Sequence, residues 1–310
     1  MLILLGGIYL GGALGSNDAA NVFGTAVASR IITFRRAALI CAAAVIIGAV
    51  LQGERGIDTL SELTSQTTTT VVIVSVSAAI VVTLMTFLGL PISTSQAVVG
   101  AIAGVGLATN NIDWAALVKV VLSWVSTPIG AMLLAIVFSR LLSLFFRHVR
   151  MGILTRDNLL FSGLVVVGIY GSYALGANNV ANVTGVFSGQ IPGLSDTYLA
   201  AIGGGAIALG VLTFSRRVMM SVGSSLVTLN AQTAFIAVLS MAVTVHIFAL
   251  IGVPVSTSQG IVGGVIGVGL MHGVHTVRFR MLRNIAVGWL MTPVLALVLS
   301  AAGFALFGGR

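Results

Sequence analysis

Long apolar stretches dominate this chain, and four short polar islands interrupt them. Val71–Leu90, Ala115–Phe138, Ala231–Ile251 and Val287–Phe307 each run for about 20 residues with hardly a charge, the length a helix needs to cross a hydrocarbon core. These runs far exceed a barrel strand, so the spans are helical. The islands form two pairs. Gly15-Ser16-Asn17-Asp18-Ala19-Ala20-Asn21 recurs as Gly176-Ala177-Asn178-Asn179-Val180-Ala181-Asn182, with four of seven residues unchanged. Pro91-Ile92-Ser93-Thr94-Ser95-Gln96 recurs as Pro254-Val255-Ser256-Thr257-Ser258-Gln259, and the order is the same in both halves.

The repeat offset drifts from 161 residues between Asp18 and Asn179 to 165 between Trp124 and Trp289. Each repeat therefore covers half the chain, 1–150 and 151–310, within one integrated membrane domain. Five membrane segments are predicted per half: 2–28, 36–53, 66–90, 94–109 and 115–144, then 159–189, 197–215, 224–252, 257–272 and 284–307. The first of each five is expected to break at its Asn-rich island, and the fourth is short. An odd number of segments turns the second half over in the membrane.

The arginines agree with that inversion. With the N-terminus outside, cytoplasmic loops carry Arg30, Arg35, Arg36, Arg140, Arg147, Arg150, Arg156, Arg216, Arg217, Arg278, Arg280 and Arg283, against Arg55, Lys119 and Arg310 opposite. Twelve against three is a positive-inside bias, present in both halves. Glu54, Asp58, Glu62, Asp113 and Asp196 fall on the outer side. Both termini are thus expected outside the cytoplasm, with the connector 140–157 inside.

Composition fits the same class. The chain is 57% hydrophobic and 7% charged, whereas about a quarter of a soluble domain is charged. A net charge of +8 does not point to nucleic acid, because the basic residues sit at span ends without interleaved aromatics. Cys41 stands alone, which excludes a disulfide framework and a cysteine metal site. Met1–Leu14 lacks a positive leader region and is read as part of the first span.

One carboxylate, Asp18, lies inside the predicted membrane. Placing an ionisable group there costs a few kcal/mol, which marks it as functional. With Asn17, Asn21 and Thr25 it offers oxygen ligands to a hard monovalent cation such as sodium, or a carboxylate that takes a proton. The competing structural account makes Asp18 the cap of a half-helix starting near Ala19. In the other islands Pro91 and Pro254 end a helix, and Ser93/Thr94 and Ser256/Thr257 stand where the next begins. Free amides and hydroxyls at a helix N-terminus cradle an anion without a buried cation. The competing account there is an N-cap serving the backbone alone. Cation and anion held side by side stabilise each other in a low-dielectric site, which is what symport requires. An anion entering a negative-inside cell moves uphill by roughly 2.3 kcal/mol per charge per 100 mV.

Gly-Ser-Asn-Asp-Ala-Ala-Asn-x-x-Gly-Thr, its second copy and the two Pro-x-Ser-Thr-Ser-Gln motifs resemble the signatures of the inorganic phosphate transporter family over nearly the whole chain. The resemblance implies an all-α membrane protein of two inverted repeats, with broken or re-entrant helices meeting near the midplane. It further implies a central phosphate site, sodium or proton coupling, no other cofactor, and a homodimer in the cell membrane. Carried over by position, Asn17, Asp18, Asn21 and Thr25 match the first signature, and Asn178, Asn182 and Thr184-Gly185 the second. Ser93, Thr94, Ser95, Gln96, Ser256, Thr257, Ser258 and Gln259 match the serine-threonine motifs. The family has Asp in both signatures, whereas this chain has Asn179 in the second, so a cation ligand is lost. A carboxylate favours phosphate, which carries a proton, and repels sulfate, which has none. Retaining Asp18 favours phosphate and losing its twin weakens the preference, and the related sulfate permeases keep sulfate as the alternative substrate.

Other residues have plainer expected roles. His246 reads as a hydrogen-bonded helix residue, Trp114 as part of an interfacial belt, and Thr67–Thr70 as the start of a span. Trp124 and Trp289 share a repeat position and are expected to pack on the broken helices. Gly203-Gly204-Gly205 and Gly263-Gly264 suit close helix contacts, and His272 and His275 lie on the cytoplasmic side. An intramembrane enzyme would need a carboxylate pair or a nucleophile with its base, which this pattern lacks. A passive anion channel is the second alternative; its flux would track voltage without a cation gradient, and the inverted repeat with paired broken helices favours alternating access over a continuous pore.

Overall fold

Residues 3–87, 92–149, 151–225, 230–272 and 279–308 are described in a computed structural model of the chain. Pro91, Arg150, His275, Arg278 and Arg310, and the side chain of His272, lie outside that description. The first half holds α1 (Leu4–Ala28), α2 (Phe34–Gln52), α3 (Glu54–Glu62), α4 (Thr68–Phe87), α5 (Thr94–Thr109) and α6 (Trp114–His148). The second holds α7 (Ile153–Thr184), continued by a 3₁₀ turn at Gly185–Phe187, then α8 (Asp196–Ser225), α9 (Ala231–Ile251), α10 (Thr257–His272) and α11 (Phe279–Phe307).

Seven of these helices are long and apolar enough to cross a membrane: α2, α4, α6, α7, α8, α9 and α11. Helices α5 and α10 have 16 residues each, about 24 Å, and fall short of a hydrocarbon core of about 30 Å. Every predicted segment has its helix. The addition is α3, whose Ile57 and Leu60 are buried while Glu54, Asp58 and Glu62 recur every four residues. Ile57 and Leu60 pack against Gly185, and Gly56 against Ala181, which seats α3 over the end of α7. Burial, then the charges of Asp196, Glu54 and Glu62, hold Asp58 above the usual carboxylate range, so four acids gather at this end of the molecule.

The expected break in the first segment of each half does not occur. α1 and α7 run as α-helix straight through their islands, and Asp18 is therefore not a helix cap. A glycine costs a helix only about 1 kcal/mol. Asn and Asp disrupt a helix when they bond its own backbone. Here Asn17, Asp18, Asn21, Asn178 and Asn182 bond other elements instead.

The flanking glycines act through packing. A Cβ on Gly15 would collide with the Ile207 carbonyl, and one on Gly176 with the Val45 carbonyl. Gly210 meets Gly12 and Gly48 meets Tyr173 in the same way. The close crossings α1 on α8 and α7 on α2 thus use positions related by the repeat offset. The same holds for α5 on α11, where Gly100 meets Pro293, and for α10 on α6, where Gly263 meets Pro128. Of the glycine triplet, Gly203 and Gly204 touch other helices and Gly205 meets nothing. Helices α6 and α11 present much of their apolar surface outward, including Leu122, Val125, Leu290 and Val298, as a lipid-facing helix must.

Candidate functional site

The two short helices begin alike. Ser93 caps α5, its Oγ accepting from Gln96 N at 3.3 Å, and Ser256 Oγ accepts from Gln259 N at 3.2 Å at the start of α10. The chain reaches α10 through a turn that Gly252 makes possible, with φ +82°. Gly252 N bonds the Ala249 carbonyl and Val253 N the Phe248 carbonyl, the paired bonds that close a helix at a left-handed residue. Gly252, rather than Pro254, therefore ends α9, and Pro254 lies in the loop beyond it.

Side chains tie the two loops together reciprocally. Ser95 Oγ donates to the Val255 carbonyl at 2.9 Å, and Ser258 Oγ to the Ile92 carbonyl at 2.6 Å. Ser95 and Ser258 are repeat equivalents, as are Ile92 and Val255. The Asn-rich islands then close around these starts. Asn21 Nδ2 donates to Thr257 Oγ1 at 3.2 Å, and its counterpart Asn182 donates to Ser95 Oγ at 2.9 Å. All of these side chains are buried.

Asp18 stands at the centre of the set and is 3% exposed. Its Oδ2 accepts from Asn179 Nδ2 at 2.8 Å and from Thr94 Oγ1 at 3.4 Å. Asp18 and Asn179 are equivalents that bond each other, which places them where the two halves meet. Two carboxylates this close would need a proton or a cation between them; the amide supplies a neutral donor. Asn179 Oδ1 in turn accepts from Asn178 at 2.6 Å and from Asn182 at 3.3 Å.

The halves differ at Asn17 and Asn178. Asn178 clamps the loop before α10, its Oδ1 accepting from Val255 N at 2.9 Å and its Nδ2 donating to the Val255 carbonyl at 2.7 Å. Asn17 turns instead to Thr86 Oγ1 on α4, at 3.1 Å. Sequence reasoning missed Thr86 and the Val255 and Ile92 carbonyls, since backbone partners leave no residue-type signature. Two of the matched residues stand apart from the set. Thr184 Oγ1 bonds the Val180 carbonyl within its own helix, beside Gly185, and Thr25 lies in the last turn of α1, half-buried.

The plainer residues behave locally. His246 is bonded on both ring nitrogens, to Tyr170 Oη at 2.8 Å and Gln52 Oε1 at 2.7 Å. Thr67 and Thr70 hydrogen-bond each other at the start of α4. Trp114 is exposed, whereas Trp124 packs on the core.

The chemistry available is a buried carboxylate and amide oxygens on one side and two hydroxyl-bearing helix starts on the other. Helix N-termini favour an anion, and a carboxylate with amide oxygens suits a hard cation.

The chain is similar to known proteins over nearly its whole length. A sequence model described as the Phosphate transporter family matches residues 14–300. A Methanocaldococcus jannaschii protein assigned by name to the phosphate permeases is 32% identical over 298 residues, covering 96% of this chain and 94% of its own. The sulfate permease CysP of Bacillus subtilis is 30% identical over 303 residues, covering 95% of this chain and 84% of its own. Among solved structures, one titled the sodium-dependent phosphate transporter superposes with a TM-score of 0.92 at 25% identity, covering 99% of both chains. The chain is therefore a multi-pass membrane protein that belongs to the phosphate transporter family.

Proposed function

We propose that the protein imports inorganic phosphate across the cytoplasmic membrane by symport with sodium or protons. The observation that carries this reading is the convergence of all four polar islands through the bonds of Asp18, Asn21, Asn178, Asn179, Asn182, Ser95 and Ser258. The starts of α5 and α10, with Ser93, Thr94, Ser95 and Gln96 and with Ser256, Thr257, Ser258 and Gln259, hold the oxyanion together with Asn178 and Asn182. Asp18, with Asn17, Asn21 and Asn179 in support, takes the coupling cation, and sodium would sit on Asp18 and Asn21; Thr25, which stands apart from the set, is left out of it. Bound beside the anion, the cation offsets the charge that low-dielectric surroundings penalise.

Residues 1–150 and 151–310 act as two inverted repeats that rock about the shared site in alternating access. Support comes from the matched crossings, α1 on α8 with α7 on α2 and α5 on α11 with α10 on α6, and from the shortness of α5 and α10, 16 residues each, which suits re-entrant helices. The arginine bias places the connector inside and both termini outside. The working unit is read as a homodimer, and the protein performs transport rather than covalent chemistry.

A second substrate, sulfate, is favoured by one observation. The Asn179 amide already satisfies Asp18, which softens the carboxylate's repulsion of an oxyanion without a proton; the relative CysP is named a sulfate permease. Uptake into proteoliposomes of labelled phosphate or sulfate, with sodium and pH gradients imposed one at a time, tests both. Phosphate accumulation that follows one imposed cation gradient supports the proposal, and voltage-driven flux indifferent to both gradients overturns it.

A further inference from the structure

The glutamines of the two short helices are held in an unusual half-made cap. Ser-x-x-Gln at a helix start ordinarily closes a reciprocal box: the serine oxygen takes the glutamine N–H, and the glutamine oxygen takes the serine N–H. Here the first bond forms in both copies. The second forms in neither. Gln96 Oε1 and Gln259 Oε1 are buried with no hydrogen-bond partner among the described residues. A buried acceptor left this way costs about 1–3 kcal/mol, and the cost is borne twice at equivalent positions.

The missing donors stand across the adjoining helix crossings. Gly100 and Gly104 of α5 abut Pro293 and Leu297 of α11, so the two helices run parallel in register over successive turns. One turn earlier, that register sets Gln96 opposite Trp289. Gly263 and Gly267 of α10 abut Pro128 and Met132 of α6 in the same manner, which sets Gln259 opposite Trp124. The indole nitrogens of Trp124 and Trp289 are buried and without an acceptor among the described residues. An indole N–H only donates and a glutamine oxygen only accepts. At each crossing, the register thus sets one orphan donor on the helix opposite one orphan acceptor.

We propose that Trp289 and Trp124 are positioning residues for Gln96 and Gln259. When the anion is bound, each indole N–H takes the glutamine oxygen across the crossing, which turns the glutamine NH₂ toward the oxyanion. The inference rests on the reading that the starts of α5 and α10 hold the anion, and it assigns to the paired tryptophans a role that packing alone would not give. An amide anchored at its oxygen presents its two N–H donors in one fixed direction, as an anion site needs. Without the anchor the glutamine is free to turn its oxygen to the anion, and binding weakens.

Tryptophan emission tests the pairing directly, since a hydrogen bond from the indole N–H moves emission to longer wavelength. A W114F/W124F protein in detergent leaves Trp289 as sole reporter, and it is titrated with phosphate and with sulfate in the presence of the coupling cation. Labelled-phosphate uptake is measured in parallel in liposomes on W114F protein, which keeps both paired indoles. The expected result is a red shift on phosphate addition that Q96M abolishes and Q259M leaves in place. W114F/W289F, which reports Trp124, shows the opposite dependence. In the W114F background W289F raises the KM for phosphate about tenfold while the cation dependence stays as it was. A shift that survives Q96M, or that Q259M removes equally, overturns the pairing, as does active uptake with no shift at all. If uptake itself is absent with either anion, the transport reading fails first and the inference falls with it.

Discussion

At the scale of single residues, the pair Asp18 and Asn179 decides the charge of the site. Its geometry is a carboxylate accepting from an amide at 2.8 Å. Asp18→Asn removes the only carboxylate of the set and leaves two amides face to face. Gradient-driven uptake is expected to fall to background while the protein still inserts and elutes as the wild type does. Asn179→Asp creates two carboxylates within hydrogen-bond reach, an arrangement that holds a proton or cation between them. The expected result is uptake that needs one further cation per anion, read as a steeper dependence on cation concentration; unchanged steepness and unchanged anion preference would make the amide incidental. Asn178→Ala strips the Val255 N–H of its acceptor, while the Val255 carbonyl keeps its bond from Ser95 Oγ. A loss of about 1–3 kcal/mol follows from the one unsatisfied buried donor, measurable as a lowered unfolding midpoint in detergent. Asp18, both serine-threonine motifs and the twin islands were legible in the sequence because ionisable and hydroxyl residues stand out against apolar runs. Thr86 and the loop carbonyls were not, because nothing in a residue's type says which backbone atom will face it.

Among the elements, the polar islands and the short helices behave in opposite ways. The sequence suggested that glycine and asparagine would break α1 and α7, yet both helices stay whole because the side chains find partners elsewhere and the glycines serve as contact points. Proline-serine-threonine islands do start new helices, as their capping chemistry requires. The legible part was therefore local capping, and the illegible part was packing at the glycines, which depends on the neighbouring helix. Substitution tests this distinction. Gly15→Ala and Gly176→Ala each drive a Cβ into a carbonyl of the facing helix, and both are expected to lower thermal stability. Gly205→Ala, with nothing near it, is expected to leave stability unchanged or slightly raised, since alanine favours helix by about 1 kcal/mol. Equal tolerance of all three would remove packing as the reason for these glycines.

For the whole molecule, the chain reads as two copies of one unit that share a single centre. The halves bury part of their polar chemistry against each other: Asp18 against Asn179, Ser95 against Val255, Ser258 against Ile92. Neither half holds all the residues of the candidate site. Ten of the eleven described α-helices and their order could be read from the sequence, whereas the short amphipathic α3 could not, and the interleaving of the halves could be read only as an expectation from the duplicated islands. Orientation has its own test. In a C41S background, a cysteine placed at Thr59 on α3 is expected to react with a membrane-impermeant maleimide on intact cells, and one at Thr155 in the connector only after the membrane is opened. The reverse pattern would turn the protein over and with it the assignment of import.

Labelled-anion uptake by reconstituted wild-type and Asp18→Asn protein, under separate sodium and proton gradients, bears most directly on the central claim. A shared site built by two halves around one acid predicts that the wild type concentrates phosphate in proportion to one imposed cation gradient, and that the variant does not. Equal gradient-driven accumulation by both proteins would contradict it.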